Sequence, residues 1–407
     1  MSMKDHLVII GASHTAAQLI VSARQNGWAG DITLIGDEAH LPYHRPPLSK
    51  DFLSGKKAID DILIRPADSY AAAEVTLRLG VRADAIDRAT KTISLSDGSQ
   101  ISYSKLVLAT GARVRKLPVP GADLEQVYYL RDSGDVDDLR RRSQSSKRAV
   151  IIGGGYIGLE TAASLRKLGL AVTVIEAMPR ILQRVTTPIM SDFFRRLHRE
   201  EGVDLVEGEM VNAISAVEDG VRVLTKSGLE FSADFVVIGI GVIPNVELAE
   251  DAALKVENGI VVDSYCLTND PDIYAAGDVA ARHHELYDQP MRIESVPNTT
   301  EQAKMVAAHL TGRAAILSTV PWFWSDQYDV KLQIAGLSKD IDDQVTRGDI
   351  NSRAFAVFSF KDNKLVCVDA VNDPRSFMFG KLAMTKNRVL DHKILADPAS
   401  PHKSAFL

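Results

Sequence analysis

Cysteine is scarce in this 407-residue sequence. Its two cysteines, Cys266 and Cys367, lie far apart and form neither a Cys-x-x-Cys pair nor a zinc-ligand spacing. A disulfide framework is thereby excluded, and a reducing, cytoplasmic setting is expected. Long apolar runs are missing too. No stretch is long enough to cross a bilayer, so no membrane association is expected. The opening Met1-Ser2-Met3-Lys4-Asp5-His6 has too few apolar residues for a signal peptide. Basic excess is absent: Lys and Arg number 47 against 53 Asp and Glu, a net charge of −6. Nucleic acid is therefore not an expected partner. Low-complexity segments and solenoid repeats are lacking. His44, His283 and His284 show no metal-ligand spacing with Cys or carboxylates, so no metal is expected and they read as surface or loop histidines.

What is present is strand–helix alternation in a chain that is 45% apolar and 25% charged, a globular composition. The length calls for two or three domains. Leu7-Val8-Ile9-Ile10 is a short apolar run ending at Gly11, and Ala149-Val150-Ile151-Ile152 ends likewise at Gly153. Each leads into a helix-like stretch and a second strand, Asp31 to Ile35 and Ala171 to Ile175. A βαβ unit used twice predicts two parallel sheets and two nucleotide-binding domains. Leu106 to Ala112 and Phe235 to Gly241 each read as a buried strand running into a glycine turn. From Trp322 onward the strands look more polar and alternating, as in Phe355 to Phe360 and Lys364 to Val368. That pattern predicts an antiparallel sheet with one wet face. The polar tail after Val389 is expected to be loosely ordered.

The second loop, Gly153-Gly154-Gly155-Tyr156-Ile157-Gly158, fits G-x-G-x-x-G between a strand and a helix. Gly153 permits the tight turn, Gly155 lets backbone amides approach a pyrophosphate, and Gly158 allows close helix packing. Glu176 ends the next strand, where a carboxylate can bind both ribose hydroxyls and repel a 2′-phosphate. NADH is thus favoured over NADPH. The first loop, Gly11-Ala12-Ser13-His14-Thr15-Ala16, keeps only its first glycine. Ser13 stands where the close-approach glycine belongs and can bond to a phosphate or weaken its binding. Asp37 ends the following strand and offers the ribose carboxylate. Downstream, Asp272 to Asp278 is a strand ending in Gly277-Asp278. A carboxylate there can reach the ribityl hydroxyls of FAD, while the glycine admits the flavin chain. Asp278 could equally cap a helix.

These features together resemble the oxygenase-coupled NADH:ferredoxin reductases, which include the reductase components of aromatic-ring dioxygenases. The likeness runs over nearly the whole chain. It is carried by Arg45 to Lys50, Gly153 to Glu160, Gly239 to Asn245, Ile293 to Asn298 and Pro321 to Tyr328. The resemblance implies an α/β fold with two Rossmann-like dinucleotide-binding domains and a C-terminal α+β domain, like other two-dinucleotide-binding flavoproteins. A discontinuous FAD domain would comprise 1–114 and 242–318, an NAD domain 115–241 and a C-terminal domain 319–407. FAD contacts would fall at Thr15, Asp37, Lys50, Arg82, Arg131, Asp278 and Val296. Pro47, His14, the turn Ala109-Thr110-Gly111 and Pro297 join that shell. Nicotinamide contacts would fall at Ile157, Glu160, Glu176 and Gly241, beside Tyr156. The partner would be a two-iron two-sulfur ferredoxin serving a haem-thiolate monooxygenase or a ring dioxygenase, with the reductase a monomer or homodimer.

NADH gives two electrons at once and a ferredoxin takes one. Flavin bridges that mismatch, so the chemistry belongs to the cofactor and no protein nucleophile is expected. Lys50 is the candidate cation beside the flavin, and the family pattern pairs it with Glu160. Trp324 is the candidate at the edge where electrons leave. Thiol-dependent reductases, oxidases and peroxidases need a cysteine facing the flavin, and Leu41 to Asp51 has none. A rubredoxin or monodehydroascorbate reductase uses the same scaffold without a thiol. A signalling flavoprotein resembling apoptosis-inducing factor is the rival of a different class.

Overall fold

The computed structural model describes residues 5–313 and 320–407. The expected boundary between residues 318 and 319 lies outside the described residues. The chain divides into two compact units, one of Met1–His44, Ile59–Arg113 and Ile243–Thr319, the other of Arg45–Ala58, Val114–Val242 and Val320–Leu407.

The first unit is organised by a five-stranded parallel sheet. Its order is Ile273–Ala275, Lys105–Leu108, His6–Ile10, Asp31–Gly36 and Val75–Leu79. The apolar run Leu7 to Ile10 forms its central strand because both faces are covered, and all four residues are buried. The helix His14–Gln25 buries Ala16, Leu19, Ile20 and Ala23 on one side. It packs against the helix Val296–Leu310, which buries Ala303, Val306 and Ala307. Each fully buried Leu or Ile contributes about 1.5–3 kcal/mol relative to exposure. Two three-stranded sheets complete this unit, one from Ala83 to Ser102 and one built of Ile260–Val262, Ala280–His284 and Gln289–Met291.

The second unit repeats the motif. Its parallel sheet runs Val203–Glu207, Ala171–Glu176, Arg148–Ile152, Phe235–Ile238 and Val127–Tyr129. A three-stranded antiparallel sheet spans Val211 to Ala233. The C-terminal sheet is antiparallel, in the order Trp322–Gln327, Val330–Gly336, Lys364–Val371, Phe355–Lys361 and Asp343–Gly348.

Several expectations are corrected. The C-terminal sheet has no wet face along Phe355–Lys361, where every residue but Lys361 is buried. Helices cover both sides. Phe355 packs on Phe193 of the helix Pro188–Glu200 with ring centroids 5.1 Å apart, and Phe358 on Phe379 of the helix Pro374–Thr385 at 6.3 Å. Nor is the tail loose. Buried Arg347 donates to the carbonyls of Leu395, Asp397, Pro398 and Ser400 at 3.0, 2.7, 3.2 and 2.7 Å, and Leu390, Leu395 and Ala405 are buried. Asp278 caps no helix, because the strand Ala280–His284 follows it. His284 is a buried strand residue rather than a surface one. A short 3-10 turn, Asp60–Ile62, leads to a single bridge between Leu63 and Tyr43. Among the described residues, no helix is long and apolar enough to cross a membrane.

Candidate functional site

In the first unit, the loop after the central strand turns at Gly11, whose φ is +113°. A Cβ there would sit 2.1 Å from the Ala109 carbonyl oxygen, so only glycine fits. Ser13 stands at the N-cap of the helix His14–Gln25 in extended backbone, yet its hydroxyl caps no helix N–H. It lies 3.5 Å from His14 Nδ1 instead. His14 Nε2 in turn lies 3.2 Å from His44 Nδ1. Buried Thr15 meets the Gly277 turn: a Cβ on Gly277, φ +87°, would come 2.4 Å from Thr15 Oγ1. The Gly277 N–H donates to buried Gln302 Oε1 at 2.7 Å. The first loop and the Gly277 turn are thus neighbours.

The Ala109-Thr110-Gly111 turn is pinned by Asn245. Thr110 Oγ1 donates to the Asn245 carbonyl at 2.7 Å, and Asn245 Nδ2 donates to the Thr110 carbonyl at 2.8 Å. Asp37 is exposed at its strand end and accepts the Glu38 N–H at 3.1 Å. Arg82 is exposed and pairs with Asp84 at 2.8 Å. That hydrogen bond, with a smaller contribution from the Asp37 charge, raises its pKa further. Val296 and Pro297 open their helix, whose N-cap Ser295 accepts the Asn298 N–H at 3.3 Å.

In the second unit, Gly153 repeats the geometry of Gly11, with φ +113° and a Cβ position 2.4 Å from the Gly239 carbonyl oxygen. Gly155 is the N-cap of the helix Tyr156–Lys167, and a Cβ there would meet nothing within 4 Å. A Cβ on Gly158 would meet the Gly153 carbonyl oxygen at 2.0 Å. Glu176 is half-buried at the strand end. Its Oε2 accepts the Gly154 N–H at 2.6 Å and its Oε1 the Met178 N–H at 2.7 Å. Ile157 is 46% exposed. Gly241, φ +105°, faces the Arg184 guanidinium. Arg131 is anchored through its backbone: its N–H donates to Asp135 Oδ2 at 2.8 Å and its carbonyl accepts from Arg45 at 3.0 Å.

The same unit brings Lys50 to Glu160. Pro47 lies in the 3-10 turn Pro46–Ser49, which delivers Lys50, and Glu160 is one turn into the glycine-loop helix. Lys50 Nζ donates to Glu160 Oε2 at 2.6 Å and to the Pro46 carbonyl at 3.2 Å. Glu160 is 2% exposed. Ser49 Oγ donates to the same Oε2 and Ser325 Oγ to Oε1, both at 2.6 Å. A buried ion pair offsets its desolvation only when hydrogen bonds satisfy it, as here. Removing one partner of such a pair costs about 3–5 kcal/mol. Tyr156 packs against Phe323 with ring centroids 5.0 Å apart, and Trp324 lies 5.6 Å from Trp322, ring to ring.

Residues 5–303 match the pyridine nucleotide-disulphide oxidoreductase family and residues 322–406 the reductase C-terminal family. The chain is 41% identical to putidaredoxin reductase of Pseudomonas putida, over 99% of this chain and 97% of that one. It is 43% identical to rhodocoxin reductase of Rhodococcus erythropolis, over 96% and 92%. The solved covalent complex of putidaredoxin reductase with putidaredoxin superposes with a TM-score of 0.95, at 41% identity and 98% coverage of both chains. The chain belongs to the oxygenase-coupled ferredoxin reductases. Its fold is that of the two-dinucleotide-binding flavoproteins, and its cofactors are FAD and a pyridine nucleotide.

The reductase's residues fit both groups. Each glycine-loop helix begins without a side-chain cap, at Ser13 and Gly155, leaving first-turn N–H groups for an anion such as a pyrophosphate. Each following strand ends in a carboxylate, Asp37 or Glu176. Neither cysteine competes for the chemistry: both are buried, and burial pushes the Cys266 thiol up to about 12 and the Cys367 thiol well up. Sequence reasoning assigned no role to Ser49, Asn245, Gln302 or Ser325. Ser49 and Glu160 are 111 positions apart, and no periodicity marks such a contact.

Proposed function

We propose that this chain carries electrons from NADH through FAD to a two-iron two-sulfur ferredoxin that serves an oxygenase, with Lys50 and Glu160 as its principal electrostatic residues. The observation that carries this reading is the Lys50–Glu160 ion pair, whose carboxylate is buried on the helix that follows the second glycine loop. Bound FAD supplies the conversion of a two-electron donor to single-electron delivery.

The Gly155 N–H and the uncapped first-turn N–H groups of the helix Tyr156–Lys167 would receive the nucleotide pyrophosphate, and Glu176 would accept from the ribose hydroxyls. Exposed Ile157 would offer an apolar face to the nicotinamide. With NADH bound, the Glu160 carboxylate would favour the positive charge that a nicotinamide gains when it gives up hydride. Lys50 Nζ would supply a positive charge that favours the reduced, anionic flavin. The pair is held in place by the Ser49 and Ser325 hydroxyls, so its charges would be preorganised for hydride transfer. Gly11 to Thr15 and the Gly277 turn would hold FAD, Asp37 and Asp278 would bond its hydroxyls, and Arg82 and Arg131 would be its cationic partners. Val296 and Pro297 present a helix start to the flavin, and Trp324 marks the edge where electrons leave. The division of labour is an FAD domain of 1–114 and 242–318, an NAD domain of 115–241 and a C-terminal domain of 319–407.

The likeness to a reductase crystallised with putidaredoxin supports a ferredoxin partner. Ferredoxins of this kind are acidic, so docking to a chain of net charge −6 needs local steering. Arg65 and exposed Lys304 are the candidates. Reversing either charge should raise the apparent Michaelis constant for ferredoxin and leave ferricyanide reduction unchanged. Equal losses with both acceptors would point to a damaged flavin site. No loss with either would remove these two residues from docking.

A further inference from the structure

Behind Glu160 runs a line of buried polar side chains, all within the second unit. Ser325 Oγ, which donates to Glu160 Oε1, accepts from Gln327 Nε2 at 3.0 Å. Gln327 Oε1 lies 2.7 Å from His198 Nε2, and His198 Nδ1 lies 3.1 Å from the Tyr328 hydroxyl. Glu160, Ser325, Gln327 and His198 are 2%, 1%, 1% and 0% exposed. His198 sits on the amphipathic helix Pro188–Glu200, and Tyr328 is in the turn joining two strands of the C-terminal sheet.

The hydrogens in this line can run only one way while Glu160 is a carboxylate. Glu160 accepts, so Ser325 must donate to it. Ser325 then accepts, so Gln327 must turn its NH2 toward Ser325 and its carbonyl toward His198. His198 must therefore carry its proton on Nε2 and accept on Nδ1, and Tyr328 must donate. Burial lowers the His198 pKa to about 4, which supports a single ring proton at neutral pH. With that proton on Nδ1 instead, Gln327 would flip and the Ser325 hydroxyl would turn to its carbonyl. Glu160 would keep its two donors on Oε2 and lose the one on Oε1. An amide cannot pass a proton along such a line, so the line orients and does not conduct.

We propose that His198 is a positioning residue: the imidazole tautomer fixes the hydrogen-bond direction that ends on Glu160 and holds the Lys50–Glu160 pair in its reactive geometry. This rests on the reading of that pair as the electrostatic partner of hydride transfer. Aligned hydrogen bonds polarise one another, so the effect at Glu160 exceeds that of Ser325 alone.

The test is anaerobic stopped-flow reduction of the FAD-loaded full chain by NADH. His198→Phe keeps the volume and removes the donor. Its limiting rate of flavin reduction should fall about ten-fold, the lower end for one hydrogen bond to a charged group. The dissociation constant for NADH should stay within about two-fold, and so should ferricyanide oxidation of the dithionite-reduced protein. His198→Gln places an amide N–H near the position of Nε2 and should restore most of the rate. Ser325→Ala deletes the last donor, leaves His198 packed and should lose rate by a similar factor. Parental rates in His198→Phe or in Ser325→Ala overturn the proposal, as does a His198→Gln variant as slow as His198→Phe. A parent that NADH cannot reduce overturns the underlying reading, and the proposal with it.

Discussion

Replacing Glu176 by Gln should change the choice between NADH and NADPH more than it changes flavin reduction. The carboxylate ends its strand half-buried, held by the Gly154 and Met178 N–H groups. A 2′-phosphate on the adenosine ribose would bring about 1.5–2 further negative charges. At roughly 5 Å, with partial solvent screening, the repulsion is roughly 1–3 kcal/mol, or one to two orders of magnitude. The substitution has a second effect. Each Glu176 oxygen accepts a backbone N–H, and the Gln NH2 group would face one of them, leaving a donor unsatisfied. That damage to the loop weakens both nucleotides alike and cancels in their ratio. The assay is kcat/KM for NADH and NADPH with ferricyanide as acceptor. The parent should prefer NADH, and Glu176→Gln should narrow the preference by ten- to a hundred-fold, roughly. An unchanged ratio in the variant would refute the role of the charge.

Burial pushes the Asp369 carboxyl up to about 7, from an ordinary 3.8. Between those values the folded state keeps a proton that the unfolded chain releases, so this stability is full below pH 4 and is lost as pH rises through 7. Asp369→Asn keeps an acceptor for Thr186, so its melting temperature relative to the parent should climb from pH 4 to 7 and then level off, worth at most roughly 4 kcal/mol. His198, pushed down to about 4, has the opposite slope between pH 4 and 6.5, so the difference between variant and parent is the quantity to read. A pH-independent difference would mean Asp369 stays ionised. Because both thiols are buried and raised, a thiol reagent should find none in the native protein and two after unfolding, and the double Cys→Ser variant should keep NADH–ferricyanide turnover. Loss of turnover in an FAD-loaded double variant would revive thiol chemistry. Ser13→Gly should retain FAD, since the Ser13 hydroxyl caps no helix N–H; release of flavin on dialysis would make that hydroxyl a ligand.

The two parallel sheets were legible because short apolar strands, glycine turns and strand-end acids form a local pattern, and Gly11, Gly153 and Glu176 stand where that pattern put them. The Lys50–Glu160 pairing was expected only through family resemblance, since nothing local joins positions 110 apart. The hydroxyls that complete it were out of reach for the same reason. The C-terminal sheet misled because its letters look half-polar. Ser359 and Asp369 are fully buried there, and helices supply both covers. The tail looked loose because its order depends on Arg347, whose four carbonyl partners lie 48 to 53 positions away.

The most direct test of the central claim is an anaerobic titration of the FAD-loaded protein with NADH in the presence of a two-iron two-sulfur ferredoxin, followed at flavin and iron–sulfur wavelengths. NADH should bleach the flavin, and each NADH consumed should reduce two ferredoxins. Flavin that NADH reduces but no ferredoxin reoxidises, across a panel of such ferredoxins, would contradict it.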